Sequence, residues 1–267
     1  MSSDFSESVS IITGASSGIG RAFALALASR QGRIALAARN EAALQQVACE
    51  VQERGGEPLV APTDVTHNQE VVRLVSQTLE RWGRIDILIL SAGAYVRGPI
   101  TSLTEADLQR ALEVNYLGAA RVVLAALPHM LPQASGHIVL VSSMDGRKGL
   151  PLDAPYVASK FALRGFGDVL RQELHGTGIR VTTVCPGRVD TPMIADLEVP
   201  RISGVISPEQ VVKATLRAMR RGQSEVIVPF QARLLDWVNI LSPRLADAAI
   251  RALRLEGWPR EDTTKRP

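Results

Sequence analysis

Cysteine, lysine, tyrosine and tryptophan are all scarce in this 267-residue chain, which has only 2 Cys, 4 Lys, 3 Tyr and 3 Trp. Two cysteines, Cys49 and Cys185, are too few for a disulfide scaffold. The core alone must hold the fold, and a reducing, cytoplasmic setting is expected. The 21 Gly and 15 Pro follow no period, which excludes a collagen-like fibre, and 46% apolar residues are too many for a disordered chain. No run of roughly 18 uncharged apolar residues is present, so a soluble globular chain is expected. The opening MSSDFSESVSII holds Asp4 and Glu7 and no basic segment ahead of an apolar one, so no secretory signal is expected. The net charge is +3, but the 26 Arg and 4 Lys form no block. Nucleic acid is therefore not an expected partner, whereas a mildly basic field favours small anions such as phosphorylated cofactors.

Seven short apolar runs alternate with longer segments of helical spacing: 9–13, 33–38, 58–62, 85–90, 137–143, 180–185 and 225–229. Between them, Phe23 and Leu27, then Leu44, Val47 and Val51, then Val71, Leu74, Val75 and Thr78 recur at the period of one helix face. Alternation of this kind predicts an α/β fold of Rossmann type, doubly wound, with a seven-stranded parallel sheet and helices on both faces. No Gly/Ser/Pro-rich linker interrupts it. Residues 1–229 read as a nucleotide-binding catalytic domain, and 230–267 as a C-terminal helical extension with two helices split at Ser242-Pro243. The last stretch, GWPREDTTKRP, reads as a frayed tail.

The first strand runs straight into Thr13-Gly14-Ala15-Ser16-Ser17-Gly18-Ile19-Gly20 and then a helix. Glycines there let the backbone approach a pyrophosphate, and the helix N-terminus supplies free N–H groups. A dinucleotide is the expected ligand. About 20 residues on, where a carboxylate would bind a ribose 2′-hydroxyl, the chain has Arg39. A guanidinium pairs with a 2′-phosphate, so NADP(H) is favoured, with NAD(H) not excluded. Ser17, just before the second glycine, adds no positive charge to the turn.

With so few Tyr and Lys, a Tyr-x3-Lys match is expected only about 0.05 times by chance. Tyr156 and Lys160 stand at i and i+4, on one helix face. Ser143 precedes Tyr156 by 13 residues at the carboxyl end of a strand, where α/β sheets present ligands. Asn115 sits within a helical stretch, 104–126, among apolar neighbours that point to a buried role. The glycine turn and these four residues resemble the classical short-chain dehydrogenase/reductase family over residues 9–195.

That resemblance implies a four-member active site of Asn115, Ser143, Tyr156 and Lys160. Tyr156 would be the general acid/base and Ser143 the stabiliser of the substrate oxygen. Lys160 would bring positive charge that moves the phenol toward neutrality, and Asn115 would hold a water linking Lys160 to solvent. It implies cofactor contacts from Gly14, Ser16, Ser17, Gly18, Ile19, Gly20, Asp64, Val65, Ser91, Ala92, Gly93, Pro186, Gly187, Val189 and Thr191, besides Arg39, Tyr156 and Lys160. Ser91 departs from the Asn usual in the family and is expected to weaken local bracing. The implied partners are a small carbonyl or alcohol substrate and further copies of the chain, as a homodimer or homotetramer built on helices 104–126 and 156–175. Ala119, Ala120, Ala162 and Phe166 are the residues expected at that contact.

The competing readings are a non-catalytic NAD(P)-binding sensor and a sugar-nucleotide epimerase; the complete set of four site residues disfavours the first. His67, His129, His137 and His175 share no ligand spacing, so no metal is expected. Met144, Leu150, Leu152 and Met193 fall on loops around the substrate and are equally suited to an apolar pocket or to lid packing. In the extension, Leu234, Val238 and Leu241 share a face that continues through Leu245, Ala249 and Leu253. Burial against the chain, a sister subunit or the substrate loops is the expected fate of that stripe, and docking on an anionic membrane surface is the second reading.

Overall fold

The computed structural model describes residues 5–200 and 204–259. Seven strands form one sheet: β1 (Val9–Thr13), β2 (Arg33–Ala38), β3 (Glu57–Pro62), β4 (Ile87–Leu90), β5 (Gly136–Val141), β6 (Ile179–Pro186) and, after a short β7 (Leu197–Glu198), β8 (Glu225–Val228). Their order is β3-β2-β1-β4-β5-β6-β8 and every pairing is parallel. Residues of β1, β4 and β5 are buried throughout, which is why these runs show no polar alternation.

Helices α1 (Gly18–Ala28), α2 (Glu41–Glu53) and α7 (Pro208–Arg220) pack on one face. Helices α3 (Asn68–Trp82), α5 (Gly118–Met130) and α6 (Ala154–Glu173), with α4 (Glu105–Leu112) leading into α5, cover the other. The spaced apolar residues become the inward stripes: Phe23 and Leu27 on α1, Leu44, Val47 and Val51 on α2, and Val71, Leu74, Val75 and Thr78 on α3 are all buried. The strand order reverses between β1 and β4, which opens a crevice at their carboxyl ends.

The stretch expected as one helix over 104–126 is two helices joined by a π-helical turn, Glu113–Leu117, and it extends to Met130. That wider turn holds Asn115, 1% exposed, on the inner side. Ala119 and Ala120 are buried within their own chain, and Phe166 stacks edge-on against Tyr116 at 5.9 Å. Ala162 and Phe166 are half-buried, and the large apolar residues these helices leave exposed are Leu108, Leu124, Phe161 and Val169.

The extension forms the two expected helices, α8 (Ala232–Leu241) and α9 (Pro243–Leu253), followed by β9 (Trp258–Pro259). Here the structure corrects the reading of the tail. The tail is not frayed from Gly257 onward: β9 pairs antiparallel with β7, and Trp258 Nε1 donates to Glu198 Oε2 at 2.7 Å. Residues 260–267 of that tail lie outside the described residues. Of the apolar stripe, Val238 and Ala249 are half-buried, but Leu234, Leu241, Leu245 and Leu253 are left exposed by their own chain, while Asp236, Ala246 and Ile250 face inward. Ion pairs account for this orientation. Asp236 meets Arg147 Nη2 at 2.5 Å and Asp247 meets Lys148 Nζ at 2.6 Å, and both cations are mostly buried. Turning the leucines inward would strand Arg147 beside a single remaining acid, Glu225, at the cost of an undercompensated buried charge.

Candidate active site

A cavity of about 910 Å³ lies at the carboxyl ends of the strands. Its first wall is the glycine turn. Gly14 has φ of +66°, and a Cβ there would stand 2.9 Å from both the Cα and the N of Ala92. A Cβ on Gly20 would meet the Gly14 carbonyl at 2.3 Å. Only glycine lets the turn lie this close to Ser91-Ala92-Gly93 and to its own helix. Ser17, the N-cap of α1, makes no side-chain cap bond, and the first turn contains no acid. The N–H groups of Ser17-Gly18-Ile19 therefore stay available to an anionic group, which fits a dinucleotide phosphate.

Arg39 is exposed at the end of β2 and lines the cavity, while the adjacent Asn40 caps α2 by accepting Ala43 N–H at 3.1 Å. Asp64 and Val65 line it after β3. Burial would raise the Asp64 carboxyl, but bonds from Thr66 N and Oγ1, at 2.9 and 2.8 Å, outweigh it and hold the group below its ordinary range. Ser91, Ala92 and Gly93 follow β4. Thr13 Oγ1 accepts both Ser91 N–H and Ala92 N–H, at 3.1 and 3.2 Å, so a residue on β1 braces this segment. Pro186, Gly187, Val189 and Thr191 close the far side, Thr191 donating to Val189 O at 3.2 Å. Ser16, Ser17, Gly18 and Ile19 complete the lining, whereas Gly20 acts only through the helix approach.

The second end holds the four residues of the implied active site. Tyr156, 8% exposed, and Lys160, 4% exposed, lie one turn apart on α6 with the ammonium 5.5 Å from the ring centroid. Lys160 Nζ donates to Val141 O at 2.8 Å, and burial pulls its pKa down to about 8. Burial, and after it the Asp145 carboxyl, push the Tyr156 phenol well above its ordinary value, with a hydrogen bond to Ser143 opposing them. Ser143 lies just past β5, at the start of the short turn Met144–Gly146; it donates to Asp145 Oδ2 at 3.0 Å and accepts Asp145 N–H at 3.1 Å. Asn115 is bonded to the loop after β4 and to α6. Its Oδ1 accepts Ala94 N–H at 2.7 Å, and its Nδ2 donates to Ala94 O and Ser159 Oγ, at 3.0 and 2.8 Å. It ties the loop after β4 to α6, because Ser159 in turn donates to Tyr156 O at 2.7 Å.

Several residues here carried no sequence signal. Tyr95 stacks edge-on against Tyr156 at 4.9 Å and donates to Asp153 Oδ1 at 3.0 Å, while Arg97 Nε reaches the same carboxylate at 3.1 Å. Burial, then the Asp145 charge, raise Asp153 to about 7, and Arg97 opposes them. Asp145 itself is raised by burial. Its position two residues after Ser143 was the one available clue. Met144, Leu150 and Met193 line the cavity, but Leu152 does not; it is partly exposed and accepts Gly98 N–H at 2.7 Å.

Comparison with known proteins agrees with this fold. A family model described as short chain dehydrogenase matches residues 8–201. A ketoacyl reductase, HetN, of Nostoc sp. is 36% identical over 221 residues, which is 82% of this chain and 77% of that protein. A short chain dehydrogenase/reductase of Burkholderia phymatum, solved in complex with NAD, superposes with a TM-score of 0.84 at 25% identity, covering 91% of this chain and 96% of that one. An alcohol dehydrogenase of the archaeon Thermococcus sibiricus, solved with 5-hydroxy-NADP, gives 0.76 at 29% identity and covers 83% and 95%.

Proposed function

Because the chain belongs to the short chain dehydrogenase family, and is thus an NAD(P)-dependent oxidoreductase, we propose that it uses NADP(H) to interconvert a carbonyl compound and an alcohol, with Tyr156 moving the proton. The observation that supports this most is the buried Tyr156–Lys160 pair beside Ser143 at one end of a cavity whose other end is a glycine turn flanked by Arg39. When bound, the nicotinamide supplies the hydride for reduction. Tyr156 holds a proton on its Oη and gives it to the substrate oxygen, and Ser143 orients that oxygen through its hydroxyl. Lys160 stabilises the phenolate left behind, and Asn115 fixes the loop and helix between which the substrate lies. Met144, Leu150 and Met193 favour a substrate with an apolar portion.

The direction of the Tyr156 shift has a kinetic consequence. A phenol held protonated donates throughout the neutral range, so the rate of reduction should be flat from about pH 6 to 8, whereas oxidation, which needs the phenolate, should rise about tenfold per pH unit. The check is NADPH absorbance against a panel of aldehydes and ketones, with the reverse reaction on the corresponding alcohols across pH. An oxidation rate that is level through neutrality would refute this role for Tyr156.

We also infer association of copies through α4 and α6, supported by their exposed Leu108, Phe161 and Val169. Light scattering should give a multiple of 28.8 kDa, and a species of that single mass would remove this reading.

A further inference from the structure

The outward face of the α8–α9 hairpin is at once apolar and basic. Phe230, Leu234, Trp237, Ile240, Leu241 and Leu245 are between 61% and 81% exposed; Leu234, Trp237, Ile240 and Leu241 follow one another along α8 at the steps that align side chains on one side, Phe230 stands just before α8 and Leu245 in the first turn of α9. Arg233 lies over the Phe230 ring at 5.2 Å, and Arg244, Arg251 and Arg254 are exposed around the same hairpin. The two acids of the helices are engaged elsewhere: Asp236 is buried on Arg147, and Asp247 is held by Lys148. Arg233 and Arg244 make no ion pair among the described residues. The hairpin thus buries one acid, Asp236, and holds the other, the half-exposed Asp247, on Lys148, while it offers outward six large apolar side chains among arginines.

From this separation of charge we infer that the α8–α9 hairpin docks on an anionic lipid surface, its apolar side chains entering the boundary between headgroups and acyl chains and its arginines meeting the lipid phosphates. A second copy of the chain is a poorer occupant. A two-fold contact would bring the Arg233 and Arg244 regions of both copies together, and among the described residues the acids of the hairpin, Asp236 and Asp247, are already paired with Arg147 and Lys148. Trp237, midway along the face, has the amphipathic ring that suits the same boundary. The docking face is separate from the cavity lining, so lipid binding is expected with no substrate or cofactor present.

Co-sedimentation of the full chain with vesicles tests this, one set of phosphatidylglycerol and phosphatidylcholine mixed, the other of phosphatidylcholine alone. The chain should bind the anionic vesicles at least about tenfold more tightly, and Arg233→Ala or Arg244→Ala should each cost about fivefold. Leu234→Asp combined with Leu241→Asp should abolish sedimentation, and both sites are exposed enough that the melting temperature should hold. A second readout avoids any variant that folds poorly: the emission lost in Trp237→Phe should shift to the blue when the unsubstituted protein meets anionic vesicles. Equal sedimentation with both vesicle types, undiminished binding by the double variant, or an unshifted Trp237 signal would overturn the proposal. So would the absence of lipid binding accompanied by a dimer that the double variant dissociates, which would assign the face to a second copy.

Discussion

Tyr156→Phe should lower kcat by about 10²- to 10⁴-fold, the range that a positioned general acid contributes, while NADPH affinity stays within about threefold. The substitution removes one oxygen. The phenyl ring keeps the edge-on contact with Tyr95 at 4.9 Å and remains beside Lys160 Nζ, so the packing that shapes the cavity is retained. Loss of rate with the fold intact is therefore the expected pattern, measured as steady-state turnover beside a thermal melt and a cofactor titration. If more than about a tenth of kcat survives, the proton comes from another group. Asp153, raised to about 7 and joined to Tyr156 through Tyr95, would be the next to examine.

Arg39→Asp should reverse the cofactor preference. Arg39 is exposed at the end of β2 and borders the cavity near Asp64, whose carboxyl feels its charge. A guanidinium there attracts a 2′-phosphate, whereas a carboxylate repels it and accepts a hydrogen bond from a 2′-hydroxyl. The ratio of kcat/KM for NADPH over NADH should fall by about 10- to 1,000-fold, or roughly 1.4–4 kcal/mol. Equal loss with both cofactors would make Arg39 structural. Asn40, which caps α2, is the neighbour whose disturbance would produce that outcome, so helix content should be followed in the same variant.

Much of this architecture is set locally and can therefore be read along the chain. Strands covered on both faces become unbroken apolar runs, and helices covered on one face become stripes such as Leu44, Val47 and Val51. Those two periods, with the position of the glycine turn between β1 and α1, determine the doubly wound sheet and the end of it where a ligand binds. Tyr156 and Lys160 fall together because four residues make about one helical turn.

What the sequence could not determine depends on contacts between distant segments. The π-helical turn that carries Asn115 inward exists because the stretch must pack against the loop after β4, and no local propensity marks it. The buried group of Asp145, Asp153, Tyr95 and Arg97 around Tyr156 comes from three separate stretches of chain, and only their convergence away from water raises the carboxyls and the phenol. The clearest case is α8. Its amphipathic pattern specifies that one side is apolar but not which way that side faces. The direction is decided by Arg147, almost ninety residues earlier, which draws Asp236 inward and leaves the leucines of α8 in solvent, while Lys148 holds the half-exposed Asp247 of α9. Desolvating an unpaired cation costs more than exposing a few leucines, so the ion pairs set the rotation of the helix against its own hydrophobic pattern.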